Sequence, residues 1–175
     1  ALRNGTCPAA RPLPQPRSEE RRTETPFPNQ TQQSYAMFTK CYASALVGIE
    51  AMTVEVEVNI TPGLGMFLVG LPDNAVRESQ ERIRSAFDNS GLKMPGKKVV
   101  VNLAPADVRK EGSSLDLTIA VAILAAAGQV APDRLGGYII MGELSLDGTV
   151  KPIRGALPIA VNARRNGFRG FILPR

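Results

Sequence analysis

Between residues 52 and 60 apolar and polar positions alternate: Val54, Val56 and Val58 on one side, Glu55, Glu57 and Asn59 on the other. A period of two predicts a strand with one dry face and one wet face. The preceding run "KCYASALVG" reads as a first strand. "TPGLG" is a turn by its proline and glycines, and "MFLVGL" after it is a short buried strand. The period then changes. Val76, Ile83, Ala86 and Phe87 fall on one helical face, predicting a helix of about 17 residues that Asp73 caps and Gly91 closes. Glu78 and Arg82 form an i,i+4 pair on its wet side.

"KKVVVNL" predicts a strand buried on both faces, and a nearly unbroken apolar helix follows over Leu115–Ala127. "GYIIMGEL" and "TVKPI" predict two strands, with Asp147-Gly148 in a tight hairpin turn between them. Pro158 falls in the first turn of a last helix, where its missing N–H costs nothing, and "GFILP" is a final strand. The order β-β-β-α-β-α-β-β-α-β predicts an α+β domain, a mixed sheet with three helices.

Residues 1–36 break this pattern. They hold six of the 14 prolines and almost no Val, Ile or Leu. Such a segment buries too little apolar area to offset its ordering entropy, so we expect a disordered extension or non-native upstream residues, with the domain starting at Met37. That segment carries five basic and three acidic residues, so the formal charge of +5 falls to +3 over residues 37–175. The balance is too mild to mark a nucleic-acid footprint, although Arg164, Arg165 and Arg169 cluster near the last helix. No apolar run is long enough to span a membrane and no secretory pattern opens the chain; a cytoplasmic location is expected.

Composition removes some chemistry. The chain has no His, which excludes His-based acid/base catalysis, the Ser-His-Asp triad and most zinc sites. Cys7 and Cys41 have neither disulfide-framework nor metal-ligand spacing. "GLKMPGKK", Gly91–Lys98, is one residue short of a phosphate loop and has Lys98 where a Ser or Thr should hold magnesium. It also closes a helix and opens a strand, the reverse of the order that presents free N–H groups to phosphates, and we expect no ATP site there.

At the junction "VRKEGSSLDL" a charged loop runs into the apolar helix. Ser113 with Asp116 three residues on has capping-box spacing; a Ser–Lys nucleophile is the alternative open to a chain without His. The loop resembles the "KDGPSAG" segment of Lon-type proteases, and "GELSLDGTVKPIRGALPIAVNARRNGFRGFILP" continues the likeness. The resemblance is closer to the N-terminal Lon-like domain of magnesium-chelatase-related, ComM-type ATPases (the YifB/ComM family), and "ALVGIEAMTVEVEVNITPGLGMFLVGLPDNAVRESQERIRSAFDNSG" is similar to the opening of that family. It extends over Met37–Arg175.

The resemblance implies a Lon-protease-like fold of ribosomal-protein type, ahead of an AAA+ module that would bring ATP and magnesium. The whole protein would be a hexameric ring acting on DNA in branch migration. It puts Ser114 at the Lon nucleophile position and Leu157 at the position of the Lon lysine. A leucine takes no proton, so the domain is expected to be inactive as a peptidase. The Lon-type Ser–Lys peptidase and a simple nucleic-acid-binding module are the alternatives. Arg109, Lys110 and Glu111 are three consecutive charges that a buried turn would not carry unpaired. With Ser113, Ser114 and the last helix they are the expected contact surface, for DNA.

Overall fold

The computed structural model describes residues 37–174. The extension expected over residues 1–36 lies outside the described residues.

The alternation at 52–60 gives β2 (Glu50–Thr61), which pairs antiparallel with β1 (Phe38–Val47) along the full length of β1. Val54, Val56, Val58 and Ile60 point to one face, opposite Cys41 and Ala43 of β1, and all six are buried. Burying an aliphatic side chain of this size stabilises by roughly 1.5–3 kcal/mol, so the face is fixed in register by its own pattern. β4 (Lys98–Ala104) pairs antiparallel with the other side of β2, and β3 (Met66–Val69) runs parallel to β4 as one sheet edge. On the far side β5 (Tyr138–Ile140) is parallel to β1, and β8 (Gly170–Ile172) is parallel to β5. The result is a six-stranded mixed sheet of order β3-β4-β2-β1-β5-β8. Only one face of β4 is fully buried, at Val99, Val101 and Leu103; the expectation of two buried faces is corrected.

α3 (Asp116–Ala126) is buried along nearly its whole length and packs on β1 and β2. α4 (Ala156–Arg165) lies against the other face. Asn162 donates to the Thr53 hydroxyl at 3.1 Å, and Phe168 beyond the helix meets the Tyr42 ring edge-on at 5.2 Å. Thr53 and Tyr42 are the alternate positions to Val54 and Cys41, so the sheet has helices on both faces. The architecture is the α+β class expected.

Two predicted elements are interrupted. The helix after Asp73 breaks at Glu78 into α1 (Asn74–Arg77) and α2 (Ser79–Asn89), and at the break the Ala75 carbonyl accepts from the Arg82 guanidinium at 2.7 Å. Asp73 is the cap as expected, accepting from Val76 N–H at 2.7 Å, and Gly91 follows the helix end with φ of +68°. "GYIIMGEL" divides into β5 and β6 (Glu143–Leu144). Met141 N–H still bonds the Ile172 carbonyl of β8, but Gly142 N–H turns to the Ser114 carbonyl, which ends the strand. β6 forms a separate ribbon with β7 (Val150–Lys151) around the Asp147-Gly148 turn, where Asp147 accepts from Thr149 N–H at 2.9 Å. That bond holds the Asp147 carboxyl below its usual range.

Candidate functional site

The loop 109–115 is tied down from two sides. Leu71 carbonyl accepts from Lys110 N–H and the Lys110 carbonyl from Asp73 N–H, a short parallel bridge between "LPD" and "RKE". The Asp73 carboxylate, besides capping α1, accepts from Gly112 N–H at 3.1 Å. Close approach of the same "GLPD" segment to β4 requires Gly70: at φ of +95°, a Cβ there would stand 2.1 Å from the Leu103 carbonyl oxygen. On the other side Ser114 carbonyl accepts from Gly142 N–H, and Gly142 carbonyl from Leu117 N–H.

A cleft of about 460 Å³ opens between this loop, the end of β1 and the strap Pro152–Arg154. Ser113 and Ser114 both line it. The expectation that Ser113 caps the helix is corrected. Its hydroxyl donates to the Glu143 carboxylate on β6, and α3 starts at Asp116 with no side-chain cap. Asp116 is also not a capping-box partner. Its carboxylate, 1% exposed, receives both Nε and Nη2 of Arg82, at 2.6 and 2.9 Å, and Leu144 N–H at 3.2 Å. Burial holds the Asp116 carboxyl above its ordinary value against the pull of Arg82; the same bond holds the Arg82 guanidinium above its ordinary value. Arg82 and Asp116 together therefore join α1, α2, α3 and β6, a role that the local Glu78–Arg82 pairing at 3.8 Å gives no sign of.

Lys110 corrects the second expectation. It is fully buried, and its ammonium donates to the Pro105 carbonyl, so it belongs to no contact surface. Burial pulls its pKa down from the ordinary lysine value. Arg109 and Glu111 on either side are exposed and form an ion pair with each other at 3.3 Å. Ser114 lines the cleft, and among the described residues its hydroxyl has no hydrogen-bond partner. Leu157 is 77% exposed and lines a different groove, with Ile49, Val161 and Arg165. The cleft therefore brings a serine and a carboxylate together, at Ser113 and Glu143, but no lysine amine to Ser114. Lys151 stands 4.0 Å from Glu143 as an exposed ion pair.

Gly91–Lys98 runs from the end of α2 to the start of β4, and Pro95 within it has no N–H. Its residues do not fit a nucleotide phosphate, which needs N–H groups opening a helix. Among the described residues no cluster of three or more His, Cys, Asp or Glu is placed to hold a metal ion, and no helix is long and apolar enough to cross a membrane.

Residues 56–175 match a family model described as subunit ChlI of Mg-chelatase. The chain is 44% identical over 127 residues to protein YifB of Escherichia coli (strain K12), covering 72% of this chain and 25% of YifB. It is 41% identical over 126 residues to the competence protein ComM of Haemophilus influenzae, covering 71% of this chain and 25% of ComM. To Lon protease 1 of Bacillus subtilis it is 30% identical over 131 residues, 70% of this chain and 17% of that protease. The chain thus spans about a quarter of the length of YifB and ComM.

Proposed function

The chain belongs to the family of subunit ChlI of Mg-chelatase, and from that premise we propose that it is a non-catalytic domain of a ComM-type AAA+ ATPase that serves ring assembly and DNA contact. ATP and magnesium fall to the rest of the protein in this reading, and branch migration in recombination is the activity the whole would perform.

The observation that carries the non-catalytic part is the surroundings of Ser114. A hydroxyl is a weak nucleophile unless a base takes its proton. The position matching the Lon lysine holds Leu157, turned to another groove, and the amine nearest in sequence, on Lys110, is buried against Pro105. The serine that does meet a carboxylate, Ser113, is positioned by Glu143 and thereby fixes the loop to β6. A fluorophosphonate probe followed by intact-mass measurement tests this. No adduct on Ser114 or Ser113 is expected; stoichiometric labelling of Ser114 would restore the peptidase reading.

DNA contact is supported by the exposed arginines: Arg109 on the rim, Arg164 and Arg165 in the last turn of α4, and Arg169 beyond it. Lys110 no longer contributes, and Arg109 is partly neutralised by Glu111. The weight therefore moves to the α4 arginines, which are free of ion pairs among the described residues.

A further inference from the structure

Beyond Tyr42, β1 loses its neighbour on one side. Met37 carbonyl accepts from Ile60 N–H, which makes the odd positions of β1 the ones that exchange hydrogen bonds with β2. The even positions, Tyr42, Ser44 and Leu46, therefore turn their N–H and C=O groups the other way. Tyr42 finds β5 there, opposite Ile139. Ser44 does not: its N–H is left with the Met141 sulfur at 3.1 Å, a weak acceptor, because the Ile140 carbonyl accepts from the Thr118 hydroxyl and the Gly142 N–H goes to the Ser114 carbonyl. The Ser44 carbonyl and the N–H and carbonyl of Leu46 have no partner among the described residues. All three belong to residues that line the cleft.

We propose that this cleft takes an extended peptide segment of a separate protein, added as a strand beside residues 44–46 of β1. An open row of backbone donors and acceptors in a concave site is what strand addition requires, since the main-chain bonds supply affinity and flanking pockets supply selectivity. Leu115, Met141 and Ile153 are among the lining residues and suit an apolar side chain. Glu111 and Glu143 also line the cleft but are paired with Arg109 and Lys151, so the segment is selected by its backbone and an apolar side chain and not by charge. The site needs no chemistry from Ser114, and the inference stands independently of the DNA-contact reading.

The test uses a fluorescein-labelled, end-blocked hexapeptide of alternating Val and Thr, titrated into the full chain. Saturable binding is expected, with at least roughly a tenfold loss when every second peptide amide is N-methylated, because about two backbone hydrogen bonds go. Leu46→Pro removes one N–H that β2 does not use and should weaken binding several-fold. Because that variant could be misfolded, its thermal unfolding is compared with wild type, and the N-methylated peptide supplies an arm that needs no variant. Exchange of the Leu46 amide should slow when the peptide is bound. Absence of saturable binding up to millimolar peptide, or binding insensitive to N-methylation, would overturn the proposal. So would an oligomer of the peptide-free chain that the probe dissociates, since a second copy would then be the occupant.

Discussion

Removing the Asp116 carboxylate should be among the most damaging single changes in this domain. Asp116→Ala deletes the acceptor of two Arg82 bonds and one backbone bond from Leu144, all inside the structure. Arg82 is only 19% exposed, so its guanidinium is left charged and largely unpaired where water does not freely reach it. Breaking a buried pair from one side costs about 3–5 kcal/mol, against a total stability of about 5–15 kcal/mol for a domain. For a body of this size that is roughly 10–20 °C in Tm. Urea unfolding followed by circular dichroism reads the loss directly. The partner change has a pH signature. Burial already holds the Asp116 carboxyl above its ordinary value; in Arg82→Ala the guanidinium that opposes this is gone, so the folded pKa rises further above the unfolded one. Such a group stabilises below its unfolded pKa and loses that contribution as pH rises through the folded value. The deficit of Arg82→Ala should therefore shrink as pH falls from neutral toward 4, and this recovery should be absent from Arg82→Ala/Asp116→Asn. A loss under about 1 kcal/mol in Asp116→Ala, the level of an exposed ion pair, would mean that the pair is not held away from water.

Gly70→Ala should destabilise by more than about 1 kcal/mol, because a positive φ and a backbone clash with Leu103 coincide; urea midpoints of the pair decide it. Cys41 is buried and its thiol pKa is pushed up to about 12, so peptide mapping after iodoacetamide at pH 8 should find it unmodified in the native chain and alkylated in urea. Because the folded value exceeds the unfolded one, this thiol also removes native stability as pH rises from about 9 toward 12. Calorimetric titration with ATP and magnesium should show no micromolar site in this chain; such a site would overturn the reading of Gly91–Lys98.

The parts of the fold legible in the sequence are those fixed by neighbours in the chain. Val54, Val56 and Val58 place β2 and its buried face because strand alternation is local. Asp73 and the Asp147-Gly148 turn act on residues two or three positions away. The errors come from partners far along the chain. Asp116 has the spacing of a capping residue, but Arg82, 34 positions earlier, takes its carboxylate. Ser113 is drawn off in turn by Glu143, 30 positions later. Lys110 sits between two exposed charges and gives no local sign of burial; only the pairing with Leu71 and Asp73 turns it inward. The site is half legible. The loop motif points to Ser113, Ser114 and the rim, whereas nothing local points to the β1 edge or Glu143, because they reach the cleft through sheet order and the break after β5.

Salt-dependent binding of a fluorescein-labelled DNA single strand, measured by anisotropy on the wild-type chain and on Arg164→Ala/Arg165→Ala/Arg169→Ala, tests the proposed role most directly. Binding at low salt that weakens as salt rises is expected. The triple variant should bind less tightly at every salt concentration, with a slope flatter by about 0.7 for each phosphate that its arginines no longer neutralise. No binding at low salt, or equal affinity and slope in the two proteins, would contradict it.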